Sequence, residues 1–215
     1  MNQDKMRHNF WELSTAEKII YLIFKRPFQP KTERMFFDGS FFLPGQMYKA
    51  ERRALYNIVR ETKPDYCFEI GTYTGGGSTF FLSKALKDNG KGKLFTTESD
   101  EFLFNKAKAR YQKYIKSQYP FIEFIFSSSP AVFEKYLKEG KVNMILLDGA
   151  EDGKQTLEQY NYFLPYFRKD TILMVHDWNS EKTRLVKPVI LSSKWQIITE
   201  IEPPLSVGFI IAKML

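Results

Sequence analysis

Four carboxylates and one imidazole stand where this chain could do chemistry: Glu69, Glu98, Asp148 and Asp177, with His176 next to Asp177. Each lies at or just after the end of a short run of strand-forming residues, in YCFEI, LFTTE, VNMILLD and TILMVH. A further run, FIEFIF, is followed by Ser127, Ser128 and Ser129. A rim with so many like charges repels phosphate. It suits a ligand that carries hydroxyls, an amine and a positive charge. Asp177 beside His176 can poise the imidazole as a general base. Asp148, Glu151, Asp152 and Asp177 form an oxygen-rich set of the type that holds Mg2+ or Ca2+, although Glu151-Asp152-Gly153 reads equally as the cap of a following helix.

The stretch Asp65 to Ser78, DYCFEIGTYTGGGS, supplies a place for such a ligand. A strand runs into Gly71, Gly75, Gly76 and Gly77, and Ser78 opens an apolar helix, STFFLSKAL. Glycine lets backbone approach a ligand closely, and a helix N-terminus favours an anionic group such as a carboxylate. A dinucleotide fingerprint needs G-x-G-x-x-G, and Tyr73 occupies the place of its second glycine. A wider turn is acceptable for a ligand without a pyrophosphate. Glu98, 27 residues after Gly71, closes the second strand. An acid there hydrogen-bonds vicinal ribose hydroxyls; the competing reading is a solvated strand-end carboxylate.

Alternating elements must position these residues. Gln46 to Thr62 carries Met47, Ala50, Ala54, Leu55, Ile58 and Val59 at helical spacing, and Lys63-Pro64 ends it. From Asp65 on, strands alternate with helical segments over Ser78–Leu86, Glu101–Ser117, the stretch after Ser129-Pro130, Gln155–Phe167 and Lys182–Ser192, the last with Pro188 as a kink. VNMILLD is apolar almost throughout, as a strand buried on both faces is. WQIITEIE and SVGFIIAKM, joined by a Pro-Pro turn, read as an antiparallel hairpin. The expectation is an α/β fold with a doubly wound, mostly parallel, seven-stranded sheet and a reversed C-terminal strand. Ligands bind such sheets beyond the C-terminal strand ends, where all the residues above fall.

Residues 1–45 stand apart as an N-terminal tail, helix and aromatic loop, leaving 46–215 as the main domain. Ser14-Thr15-Ala16-Glu17 is a capping-box pattern that opens a helix ending before Pro27. Its Ile19, Ile20, Leu22, Ile23 and Phe24 cover more than one face, so it packs on the core or serves as a cap or homodimer element. Residues 27–45, rich in Pro, Gly and Phe, read as a long loop that is either a lid or a core plug.

The run E-I-G-T-Y-T-G-G-G-S resembles motif I of class I S-adenosylmethionine-dependent methyltransferases. It is most similar to the small O-methyltransferases of the catechol and caffeoyl-CoA type and the bacterial macrocin-type group. Glu98 matches that family's ribose-binding acid, and ILLDG, Ile145 to Gly149, its fourth-strand motif. The resemblance spans roughly residues 46–215 and implies a Rossmann-like methyltransferase fold. It implies that Glu69, Gly71 and Gly75 line the methionine half of the cofactor, with polar contacts from Thr72, Thr74 and Ser78. Glu98 would hold the ribose, Ser128 and Ser129 would meet the adenine, and Glu69 and Asp148 would face the amine and sulfonium. In the catechol type a divalent cation is held by an acid after strand four and an Asp-Asn pair after strand five. Asp148 and Asp177 match the two acids; Trp178 stands at the Asn position and Glu151 at that of a basic lysine. The acceptor implied is a small molecule of sugar or natural-product type rather than a catechol. Trp178, Lys182, Thr183, Arg184 and the FFDGSFF loop are expected to touch it, and His176, Asp148 and Asp177 to carry the chemistry.

Bulk properties narrow the alternatives. Lysine and arginine outnumber aspartate and glutamate by 32 to 25, but no block of five or six like charges appears, which argues against a nucleic-acid surface. The single cysteine, Cys67, lies in an apolar run and forms no intramolecular disulfide. The N-terminus shows no apolar signal core, and apolar runs of about six residues are far short of the roughly 20 that span a bilayer. A cytoplasmic enzyme is the expectation. Its rivals are a same-fold oxygenase, which would need two histidines at the rim, a cofactor-binding protein without catalysis, and an RNA methyltransferase.

Overall fold

The structure is a computed structural model that describes residues 14–30, 34–36, 45, 47–137, 142–192, 194–202 and 207–215. Seven strands form one sheet: β1 (Tyr66–Ile70), β2 (Lys93–Glu98), β3 (Ile122–Phe126), β4 (Val142–Leu147), β5 (Ile172–His176), β6 (Trp195–Ile201) and β7 (Phe209–Met214). Their order is β3-β2-β1-β4-β5-β7-β6. β1 to β5 run parallel, while β7 pairs antiparallel with both β5 and β6. The reversed strand therefore sits one place inside the edge, and β6 forms the edge itself.

Alternation along the strands sets the two layers. Met144 and Leu146 of β4 face a core with Cys67, Leu94, Met174 and Ile211, while Ile145 and Leu147 face a second core with Phe68, Phe95, Leu173 and Ile210. Side chains of a strand point alternately to opposite faces, so strands apolar at every position bury both. The first core is covered by α2 (Lys49–Thr62), α3 (Ser78–Asn89) and α4 (Glu101–Lys113), through Leu55, Val59, Phe81, Leu82 and Tyr111. The second is covered by α5 (Glu134–Leu137), α6 (Gly153–Phe163) and α7 (Val186–Ser192), through Leu137, Tyr160, Phe163, Val186 and Ile190.

Helix boundaries follow from caps. α2 starts at Lys49 rather than Gln46, because the backbone N–H of Tyr48 donates to Glu51 at 2.7 Å in a capping box. Asp152 caps α6, accepting from the backbone N–H of Gln155 at 2.9 Å. Pro188 falls in the first turn of α7, where no intrahelical N–H is needed. The Ser14–Glu17 capping box opens α1 (Thr15–Ile20), which passes into a π turn over Tyr21–Lys25 and a 3-10 turn over Arg26–Phe28. Among the residues of these three turns only Tyr21 is buried. The tail 1–13, most of the aromatic loop and the Pro-Pro turn lie outside the described residues.

The ends of β1 and β4 meet backbone to backbone. Gly71 has φ +99°, and a Cβ there would lie 2.8 Å from the Cα of Gly149. Gly90, past the end of α3, has φ +70° with nothing within 4 Å. Gly71→Ala is expected to cost about 2–4 kcal/mol, from a disfavoured φ plus overpacking, and Gly90→Ala only about 1 kcal/mol. Chemical denaturation of the two variants separates lost space from lost conformational freedom; equal losses would refute the close-approach account.

Candidate active site

A cavity of about 620 Å³ opens at the C-terminal ends of β1, β2 and β4. Of the residues expected to bind a cofactor, Gly71, Thr72, Ser78, Glu98, Ser128 and Asp148 line it. Backbone hydrogen bonds shape its floor. The N–H groups of Gly71 and Thr72 both donate to the Thr97 carbonyl at 3.0 Å, and that of Asp148 to the Ile70 carbonyl at 3.1 Å. Glu98 is held on both oxygens. Oε2 accepts from the N–H of Tyr73 at 2.7 Å, and Oε1 from those of Ser99 and Asp100 at 2.9 and 3.0 Å. A carboxylate has about four acceptor positions, so capacity remains for a ligand's hydroxyls. Tyr73 keeps φ +51°, a left-handed conformation that its bond to Glu98 stabilises.

The other predicted cofactor residues support this wall instead of lining the cavity. Glu69 is fully buried, and its Oε2 accepts from Thr79 at 2.7 Å and Thr96 at 2.6 Å. Burial pushes its carboxyl up to about 7, with the hydroxyls of Ser78, Thr96 and Thr79 opposing and Asp148 adding to the rise. The carbonyl of Thr74 accepts from Arg110, and that of Gly75 from the Tyr111 hydroxyl at 2.7 Å. Ser129 caps the 3-10 turn before α5 through Ala131.

The opposite side is a chain of paired charges. His176 is 4% exposed. Its Nδ1 lies 3.0 Å from Asp148 Oδ1 and 3.3 Å from Asp177 Oδ1, and its Nε2 lies 3.2 Å from Glu51 Oε2. The Lys182 ammonium lies 2.7 Å from Asp177 Oδ2 and 3.8 Å from Asp148 Oδ1. Burial by itself would lower the imidazole's pKa. The carboxylates of Asp148 and Glu51 outweigh burial and hold it well above its ordinary value. The expected general base is thus held between carboxylates. His176 meets carboxylates on both ring nitrogens, which favour its charged form, and it does not line the cavity. Asp148 and Lys182 do.

The acids expected to hold a divalent cation are brought together: one ligand atom each from Asp148, His176 and Asp177 lies within 4.8 Å of the others. Glu151 and Asp152 do not join that group; Glu151 is on the cavity wall and Asp152 caps α6. Ca2+ takes six to eight oxygen ligands, and Mg2+ takes six, of which several are waters and one or two are carboxylates. The two carboxylates would suffice in number for Mg2+, but each is engaged by the His176 ring and the Lys182 ammonium, and that prior pairing is what opposes a hard cation here. The described residues assemble one histidine there, not the two that an iron triad needs.

Three of the residues expected at the acceptor, Trp178, Thr183 and Arg184, lie elsewhere. Trp178 is fully buried, donating from Nε1 to Glu200 at 2.7 Å, so it belongs to the core. Thr183 is buried with its hydroxyl 2.8 Å from the Trp178 carbonyl, and Arg184 pairs with exposed Glu181. Of the FFDGSFF loop only Phe36 is described, and it is buried among Tyr56 and Phe81. Sequence reasoning missed Glu51 and the α6 residues Gln155 and Gln159, which line the cavity. Glu51 shows a signal only in hindsight, at the third position of its helix; its partner lies 125 residues away.

The chain matches the family model described as "Methyltransferase domain" over residues 68–178. No curated protein matches it in sequence. Solved structures share its fold at low identity. An O-methyltransferase from Bacillus cereus in complex with S-adenosylhomocysteine is 15% identical, with TM-score 0.64, over 96% of this chain and 100% of that one. The O-methyltransferase of tomaymycin synthesis from Streptomyces achromogenes, solved with S-adenosylmethionine, is 16% identical, with TM-score 0.62, over 94% and 99%. A Podospora anserina methyltransferase bound to S-adenosylhomocysteine is 13% identical, with TM-score 0.60, over 87% and 89%.

His176 makes stability pH-dependent. Its pKa is raised on folding, so its contribution is complete below about 6.5, the unfolded value, and is lost as pH rises through the higher folded value. Stability measured by denaturant titration is expected to fall as pH rises above about 6.5. His176→Gln should flatten that decline, and an unchanged slope would refute the paired imidazolium.

Proposed function

The chain belongs to the methyltransferase family whose domain it matches over residues 68–178, and we propose that it uses S-adenosylmethionine to methylate an oxygen of a small-molecule acceptor of sugar or natural-product type. The observation that carries this reading is Glu98, fastened by three backbone N–H groups at the cavity wall beside the glycine turn. That is a rigid acceptor for paired ribose hydroxyls. Gly71, Thr72 and Ser78 serve the methionine end, Ser128 the adenine, and Asp148 the positive side of the cofactor.

When bound, the cofactor supplies an electrophilic methyl group on a positively charged sulfur. The work left to the protein is alignment, exclusion of water and handling of the acceptor's proton. The glycine turn and the β1–β4 backbone contact fix one side of the cavity, and Asp148 and Lys182 present charge from the other. Residues 46–215 form the transferase unit in this reading, and 1–45 a cap or homodimer element. Exposure of Ile19, Ile20, Ile23 and Phe24 on the described turns supports that division. Among the described residues no helix is long and apolar enough to cross a membrane. The cytoplasm is the proposed location.

Titration calorimetry with S-adenosylmethionine checks the core of this reading. Saturable binding is expected, weakened about tenfold or more by Glu98→Ala, since about 1.4 kcal/mol is the scale of one or two lost hydrogen bonds. Absence of binding by the unaltered chain would sink it, and an unchanged affinity in the variant would remove the ribose assignment. Incubation with methyl-labelled cofactor and pools of hydroxylated small molecules would identify the acceptor.

A further inference from the structure

We infer that the Lys182 ammonium is a built-in cation that holds the acceptor oxygen, so that methyl transfer here runs without a bound divalent ion. The inference rests on the transferase reading and deepens it.

Lys182 sits where a cation between the two strand-end acids would sit. Its Nζ is 2.7 Å from Asp177 Oδ2, 3.8 Å from Asp148 Oδ1 and 3.5 Å from the Asp148 carbonyl oxygen. Its side chain is 24% exposed, and the residue lines the cavity. The position is constructed. Asp177 adopts φ +56°, which turns the chain sharply after β5. The Ser180 hydroxyl donates to the Asp177 carbonyl at 2.8 Å and accepts from the Lys182 N–H at 3.2 Å. Thr183 anchors the same turn to the Trp178 carbonyl. A lysine on a turn held this way carries its charge to a set place. Both carboxylate oxygens of Asp177 are already occupied, Oδ1 by the His176 ring and Oδ2 by Lys182. A divalent ion would have to displace the ammonium from its partner.

The chemistry balances with the residues present. An acceptor hydroxyl oxygen placed against Nζ accepts a hydrogen bond from the ammonium, which lowers the hydroxyl's pKa. Its proton passes to the Asp148 carboxylate and on to water. The oxygen's lone pair forms the bond to the methyl carbon while the carbon–sulfur pair returns to sulfur. The products are a methyl ether, a neutral thioether and one proton.

Calorimetry on the full chain tests this with Mn2+, Mg2+ and Ca2+ as the chloride salts, and with S-adenosylmethionine in a separate cell. The unaltered chain is expected to bind S-adenosylmethionine equally with and without EDTA and to show no saturable binding of the metals. Lys182→Ala should retain S-adenosylmethionine affinity within about twofold and gain Mn2+ affinity by about tenfold or more, because each of the two carboxylates loses one of its two cationic neighbours. Adding Asp148→Asn to that variant should abolish the gain, and Lys182→Arg should refuse the metals as the unaltered chain does. If Lys182→Ala fails to fold, Lys182→Met keeps the side-chain bulk without the charge. Saturable metal binding by the unaltered chain that Asp148→Asn removes would overturn the inference, as would a Lys182→Ala or Lys182→Met chain with no gain. Failure to bind S-adenosylmethionine would instead strike the transferase reading, so the two failures are distinct.

Discussion

The constraint on which the charged side of the cavity depends is a run of alternating charges, buried at Glu51 and His176 and half-buried at Asp148, Asp177 and Lys182. Charges leave water only when partnered, because an unpaired ion in a poorly polarisable interior costs several kcal/mol. Each member is therefore held by its neighbours. The run links α2, the end of β4, the end of β5 and the turn that follows. Glu51 also caps α2, so one carboxylate both starts that helix and fixes the imidazole beside β5. The helix before the first strand is in this way tied to the fifth.

The other wall of the cavity is made of neutral groups. Threonine hydroxyls and backbone N–H groups surround Glu69 and Glu98, and the glycine turn rests on the Thr97 carbonyl. Gly71 against Gly149 joins the two walls with no side chain between them. Each wall holds one non-glycine residue at positive φ, Tyr73 on the neutral side and Asp177 on the charged side. Such conformations persist only where surrounding bonds over-determine them. Here Glu98 holds Tyr73, and Ser180 with Thr183 holds Asp177 through its carbonyl. The backbone strain lies beside the cavity, where side chains must be aimed.

Most of the sheet was legible in the sequence because its strands are short apolar runs bounded by turns, and each expected strand lies within three residues of its observed range. The glycine turn and Glu98 were legible for the same reason, since a strand end and its following turn are local. What local pattern could not show was pairing across the fold. His176 next to Asp177 reads as a poised base; packing against Asp148 and Glu51, 28 and 125 residues earlier, favours its charged form. Trp178 reads as an acceptor platform until β6 supplies Glu200 for its indole N–H and closes the core over it. Glu69 was assigned to the ligand on its motif position, yet hydroxyls from α3 and β2 hold it beneath the turn. Helix ends shifted where a cap outweighed hydrophobic spacing, as Tyr48 and Glu51 do for α2.

Asp148 lies on both sides of the proposed reaction, and the choice of cation decides how it is shared. Its carboxylate meets His176 at 3.0 Å and Lys182 at 3.8 Å, and it also faces the cavity. Coulomb energy scales with charge over distance, so a dication in direct contact near 2.1 Å would hold that carboxylate roughly three to four times as strongly as an ammonium at 3.8 Å. A carboxylate bound so firmly has little left for the cofactor's positive sulfur. An ammonium leaves it available to both reactants. As the methyl group moves, positive charge leaves the sulfur and the acceptor oxygen gives up its proton. Asp148 stands where it can steady the first and receive the second, and the pairing of Asp177 with Lys182 keeps the remaining positive charge on the acceptor's side.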